Sequence, residues 1–232
     1  MISSGWEIFK RHWKFIILAG IATLIIEIAL RIIQNGVGQG RGSWLVDLIA
    51  MLFIILVSII ITVGWSKVTL SLVRSSHATW STFKSEPAVW VRYVKAYLWY
   101  IAYLIGWTVL TVLPGAILTI IGLATDVQAL IVIGVILGSI ALVLTAIYFG
   151  IRYQFLRYVV IDYPELSGRN LFKKAGAITK GSLLQLLGFG VVVGLVNLLG
   201  LICIVVGLVV TVPVTKLATV KVYTYLKEHH AA

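Results

Sequence analysis

A chain of 232 residues that is 60% hydrophobic and 12% charged, with a mean hydropathy of +1.05, lies far from a water-soluble domain, where about a quarter of residues are charged. The net charge of +11 does not indicate a nucleic-acid binder, because the lysines and arginines sit beside long apolar runs with aromatics among them, which suits anionic lipid head groups. The single cysteine, Cys203, leaves no disulfide framework and no paired-cysteine metal or redox site, and its apolar surroundings make it a small packing residue.

The chain opens with Ile2, Trp6, Phe9 and Trp13 at helical spacing, opposite Glu7, Lys10, Arg11 and Lys14. Such a helix can lay one face in the acyl boundary and the other among head groups. Ser4 and Glu7 have the spacing of a capping box, which predicts a start just after Ser4. About 20 residues cross a hydrocarbon core about 30 Å thick, so the first span is 15–33 and the second 44–65. The first runs past the length of a signal peptide and lacks a small-x-small cleavage site, so it reads as retained. Between the two, Gly36, Gly38, Gly40 and Gly42 alternate, but after a span rather than a strand and with no Walker lysine behind them. They form a flexible loop, not a nucleotide cradle.

A second aromatic and basic segment, 80–85, carries Trp80, Phe83 and Lys84 and is interrupted by Pro87. The uncharged stretch between Lys95 and Asp126 holds the third span, 96–117, which Pro114 and Gly115 are expected to break or kink. The fourth span is 127–151. A third basic segment, 169–174, sets Leu171, Ala175 and Ile178 against Arg169, Lys173, Lys174 and Lys180, behind Ser167 as its expected cap. From Gly181 to Thr215 no charge occurs; as one helix this stretch would be about 50 Å long, too long for a single crossing. A turn near 199–201 therefore divides it into spans 183–199 and 201–225, with Lys216 and Lys221 snorkelling to the interface. Gly134 with Gly138, and Gly190 with Gly194, have the small-residue spacing that lets helices approach closely. Asn197 and Gln185 read as interhelical hydrogen-bonding residues.

Read as six spans, the chain puts every lysine and arginine except Arg31 and Arg41 on one side. That side is expected to be cytoplasmic, with both termini inside. Continuous apolar runs, rather than ten-residue segments of alternating polarity, exclude a transmembrane barrel. The expected fold is all-α: one membrane domain, 1–232, of six transmembrane helices forming three hairpins, each preceded by a short interfacial amphipathic helix.

The stretch Arg152-Tyr153-Gln154-Phe155 through Val160-Ile161-Asp162, then Leu171-Phe172-Lys173-Lys174-Ala175 and Thr179-Lys180-Gly181, resembles the second half of a bacterial and archaeal membrane family. That family includes YciC-like proteins and the membrane domain that accompanies glycerophosphodiester phosphodiesterases. Thr211-Val212-Pro213-Val214, Ala218 and Tyr223-Thr224-Tyr225-Leu226 resemble its closing span. The likeness covers 145–228, with the first half similar only in hydropathy. It implies a six-span protein of the prokaryotic cytoplasmic membrane and brings no catalytic or binding residues with it.

Glu27 is the one acid well inside a span, which marks it as a functional candidate; Arg31, four residues on, can share its face as an ion-pair partner. His12, His77, His229 and His230 are scattered without metal-ligating neighbours, and no nucleophile stands with a matching base. The expectation is a membrane protein without catalytic activity, cofactor or metal. Its candidate lipid-binding residues are Lys10, Arg11, Lys84, Lys173 and Lys174, and its partners anionic lipids or a membrane or cytosolic protein, not nucleic acid. The alternative is a transporter or channel component with a polar site near Glu27, which the repeated hairpins and the prolines Pro114 and Pro213 would suit.

Overall fold

Long apolar runs have to satisfy their backbone polar groups internally, and the chain does so with helices. The computed structural model describes residues 2–37, 44–202 and 206–230. In chain order these form α1 (Ile2–Val37), α2 (Trp44–Ser75), a 3-10 turn (Trp80–Phe83), α3 (Pro87–Thr125), α4 (Gln128–Tyr153), α5 (Leu156–Asp162), α6 (Arg169–Ile178), α7 (Leu183–Ile202) and α8 (Val206–His230). No strand occurs among the described residues. Five helical stretches among these residues are long and apolar enough to cross a membrane: Ile2–Gln34, Trp44–Ser75, Pro87–Thr125, Gln128–Asp162 and Leu183–Ile202. The chain thus has the make-up of an all-helical membrane protein. The expected glycine loop beyond residue 37 and the environment of Cys203 lie outside the described residues.

Several expectations are corrected in detail. Helix α1 begins at Ile2, so Ser4 lies inside it rather than capping it; its regular geometry breaks at His12 (φ −122°, ψ 19°), where the amphipathic arm meets the span. The second basic segment is a 3-10 turn rather than an amphipathic helix, because Pro87 cannot continue a helix from before it and serves instead as the first residue of α3. Pro114 and Pro213 do not end their helices: α3 and α8 run through them. The residue before α6 is Gly168, not Ser167, and it takes φ +52°, which side chains with a Cβ rarely adopt. Helix α7 continues to Ile202, past the turn expected at 199–201. Helix α8 stands where the sixth span was expected; it is not among the five long apolar stretches of the described residues, and its longest uncharged run there, 206–215, ends at Lys216.

The helices divide into two compact units, one comprising Met1–Val91 and Gly188–Ala232, the other Arg92–Leu187. In the first, the start of α1, the end of α2 and the middle of α8 enclose a core of Phe9, Ile16, Val68, Leu72, Val214 and Leu217. Gly5 makes the approach of α1 to α8 possible: a Cβ there would lie 2.7 Å from the Val214 carbonyl oxygen. Away from this core α1 and α2 are clad in exposed apolar side chains such as Leu24, Ile25, Ile28, Leu52 and Phe53. A surface of that kind is costly in water and suited to lipid tails.

In the second unit α3 and α4 form an antiparallel hairpin closed by a turn at Asp126, which takes φ +57°. Small residues line the seam. A Cβ on Gly115 would be 2.6 Å from the Gly134 oxygen and from the Gly138 nitrogen, and one on Gly122 would be 2.7 Å from the Ile131 nitrogen. Further along, the hydroxyls of Thr111 and Thr145 hydrogen-bond at 3.0 Å. The pair Gly134 and Gly138 therefore packs within the chain. By contrast a Cβ on Gly190 or Gly194 would meet nothing within 4 Å.

Polar side chains inside the helices are mostly satisfied along their own helix. Thr23, Ser66, Thr69, Thr119, Thr215 and Thr219 donate to carbonyls one turn back. Between helices, Trp65 Nε1 donates to Thr23 Oγ1 at 3.4 Å and Thr215 Oγ1 to Asn197 Oδ1 at 3.5 Å, the latter joining α8 to α7. Asn197 thus has the interhelical role expected of it, whereas Gln185 is exposed.

Candidate functional site

The charged ends of the helices are built from aromatic rings and cations in alternation, separately in each unit. In the first, Phe15 meets Trp80 edge-on (5.4 Å between centroids), Trp80 stacks on Phe83 (5.9 Å), and Phe83 meets Trp65 edge-on (5.6 Å). Gly64 lets the 3-10 turn lie against α2, since a Cβ there would be 2.8 Å from the Phe83 ring. Lys216 Nζ lies 5.5 Å over the Trp65 ring, and Lys67 Nζ donates to the Lys84 carbonyl oxygen at 2.7 Å, tying the turn's exit to α2. Lys10 and Lys14 lie over Trp6 and Trp13, their neighbours along α1.

The second unit carries a denser cluster. Tyr93, Tyr97 and Tyr100 stack along one face of α3. Tyr100 then meets Phe149 and Tyr153 at the end of α4, and Tyr153 stacks on Phe172 of α6 at 4.2 Å and 15°. Tyr103 closes the set against Phe172 at 4.8 Å. Each pair contributes about 0.5–1.5 kcal/mol beyond its area. Helix α6 is amphipathic as expected, but Leu171, Phe172, Ala175 and Ile178 are buried in protein rather than laid in lipid. Around the rings stand guanidinium groups: Arg152 over Tyr148 (5.4 Å) and Tyr153 (5.9 Å), Arg157 over Tyr158 (5.0 Å) and Arg169 over Trp99 (5.7 Å). Arg92 donates to the Pro164 carbonyl oxygen and Arg152 to the Tyr148 hydroxyl.

The candidate residues fall into these two settings. Lys10, Arg11 and Lys84 are exposed at the charged end of the first unit. Lys173 is exposed on α6, and Lys174 is half-buried with its Nζ 5.3 Å over the Tyr163 ring. Phe9, assigned by spacing to the lipid-facing side of the α1 arm, is instead part of the core, while Trp6 and Trp13 stay exposed. Glu27 and Arg31 are both on the exposed surface of α1, one turn apart. Among the described residues no group of three or more histidine, cysteine, aspartate or glutamate side chains could hold a metal ion.

The cluster on α3 was not singled out by spacing alone, although its signal is present: Tyr93, Tyr97, Tyr100, Tyr103 and Trp107 recur every three or four residues just inside Arg92 and Lys95. Tyrosine and tryptophan beside arginine and lysine is the composition of an aromatic belt. No protein-family model matches the chain, and neither the curated proteins nor the solved structures give a match.

Proposed function

We propose that the protein is a non-catalytic integral membrane protein that binds anionic lipid at the basic, aromatic ends of its helices, with those ends and both termini on the cytoplasmic side of a prokaryotic inner membrane and the chain crossing six times, as in the family it resembles. The observation that carries this reading is the interleaving of cations with rings at one end of each unit, with exposed apolar helix surface leading away from it. Aromatic rings sit at head-group level, and each juxtamembrane cation contributes about 1 kcal/mol toward a negative leaflet. The position of Glu27, on the exposed face of α1 rather than between packed helices, favours this reading over a transport site built around its carboxylate.

Replacing Lys10, Arg11, Lys84, Lys173 and Lys174 with glutamine tests it. Native mass spectrometry of the variant should show less retained phosphatidylglycerol than the parent, with a larger deficit at low salt, because screening acts within a Debye length of about 8 Å at physiological ionic strength. Equal retention by the two proteins would reduce these residues to a topology signal.

A further inference from the structure

We propose that a groove on α3 seats one acyl chain of an anionic phospholipid whose phosphate is held by Arg169. The proposal rests on the lipid-binding reading and narrows it to one site in the second unit. The groove is a shallow, widely open recess of about 440 Å³ on one face of α3, lined by Trp99, Ala102, Tyr103, Gly106, Trp107 and Leu110. Their spacing puts them on one face of the helix, with ring walls at 99, 103 and 107 and a floor of alanine and glycine. A Cβ added at Gly106 would meet nothing within 4 Å, so the floor is open.

From Ala102 to Leu110, the part left for the chain, the helix rises about 12 Å at 1.5 Å per residue. One leaflet's share of a hydrocarbon core about 30 Å thick is about 15 Å, so the groove covers most of one chain in one leaflet. It lies in exposed apolar surface, since Trp99, Trp107 and Leu110 are all exposed.

Charge at one end of the groove selects the occupant. Arg169 places its guanidinium carbon 5.7 Å over the Trp99 ring and directs Nη2 to the Tyr103 hydroxyl at 3.5 Å, and both rings line the groove. Gly168 precedes Arg169 at φ +52°, a backbone conformation that favours glycine, with Trp99 in ordinary van der Waals range. Five N–H donors on a planar fork match a phospholipid phosphate, the contacts with Trp99 and Tyr103 leave most of them for it, and a head group without a choline cation beside that phosphate keeps a net negative charge that favours a guanidinium neighbour. A phospholipid of net negative charge satisfies both parts at once, with its chain along 102–110 and its phosphate beside 169.

The test is native mass spectrometry of the full chain with phosphatidylglycerol or phosphatidylcholine of the same acyl composition, and with soluble glycerol 3-phosphate as the head group alone. The parent should hold phosphatidylglycerol at collision energies that strip phosphatidylcholine, and should not hold glycerol 3-phosphate. Gly106→Leu fills the floor and should lower phosphatidylglycerol retention at least about ten-fold. Arg169→Gln should lower phosphatidylglycerol retention about ten-fold, as expected for one charge-assisted contact, and phosphatidylcholine retention less, so that the gap between the two lipids narrows. Arg169 is exposed, so its variant reports even where Gly106→Leu perturbs folding. Retention of glycerol 3-phosphate by the parent would make the site a phosphate site without a chain and overturn the proposal. So would parental behaviour of either variant. If the five-fold lysine and arginine variant loses lipid while these two do not, the broad reading stands and the groove falls; the reverse pattern removes the broad reading and keeps the groove.

Discussion

Gly115 and Gly134 show how a single missing side chain sets the distance between two membrane helices. Without a hydrophobic drive between helices in lipid, close backbone approach and the contacts it permits hold the pair together. Gly115→Leu should therefore force α3 from α4 and cost about 1–3 kcal/mol, seen as a lower Tm in detergent. Gly190→Ala, where a Cβ meets nothing, should leave Tm unchanged or raise it slightly. A parental Tm for Gly115→Leu would show that the seam has room for a side chain where a Cβ would come within 2.6 Å of α4. The spacing of Gly134 and Gly138 was legible in the sequence because it depends only on the helical repeat. Their partner was not. Gly115 sits beside a proline and reads locally as a break, and only the opposing helix shows it to be a contact surface. For the same reason, equal spacing at Gly190 and Gly194 has a different outcome.

At the level of the element, the α1 arm illustrates a pattern that local sequence describes only in part. Its amphipathic period is plain in Ile2, Trp6, Phe9 and Trp13, yet its apolar face divides: Phe9 turns into the core with α2 and α8, while Trp6 and Trp13 remain outside. Periodicity says which residues share a face but not what covers that face. The expected caps at Ser4 and Ser167 fail for a related reason, because capping is a weak local preference of about 1 kcal/mol that packing such as Gly5 against α8 can override. Gly5→Leu should lever the arm from α8. Hydrogen exchange of the amides in 6–11 should then accelerate about ten-fold or more, the equivalent of an overpacking cost in the range 1–3 kcal/mol. Unchanged exchange there would mean that the arm is held by its tryptophans and the membrane rather than by α8.

Taken whole, the molecule follows from two sequence features of different reach. Length and hydropathy made the all-helical membrane class legible, since no other backbone arrangement fits runs of this length. The division into two units and the aromatic cluster joining α3, α4 and α6 were not legible, because both arise from pairings between residues such as Tyr103, Tyr153 and Phe172 that lie far apart in the chain. The central claim is that the basic, aromatic ends all lie on the cytoplasmic side. It is tested most directly by cysteine labelling from outside intact cells. With Cys203 replaced by alanine, single cysteines at Lys84, Asp126 and Glu228 should divide: Asp126→Cys reacts with a membrane-impermeant maleimide, whereas Lys84→Cys and Glu228→Cys react only after the cells are opened. Labelling of Lys84→Cys or Glu228→Cys in intact cells, or protection of Asp126→Cys, would contradict the account.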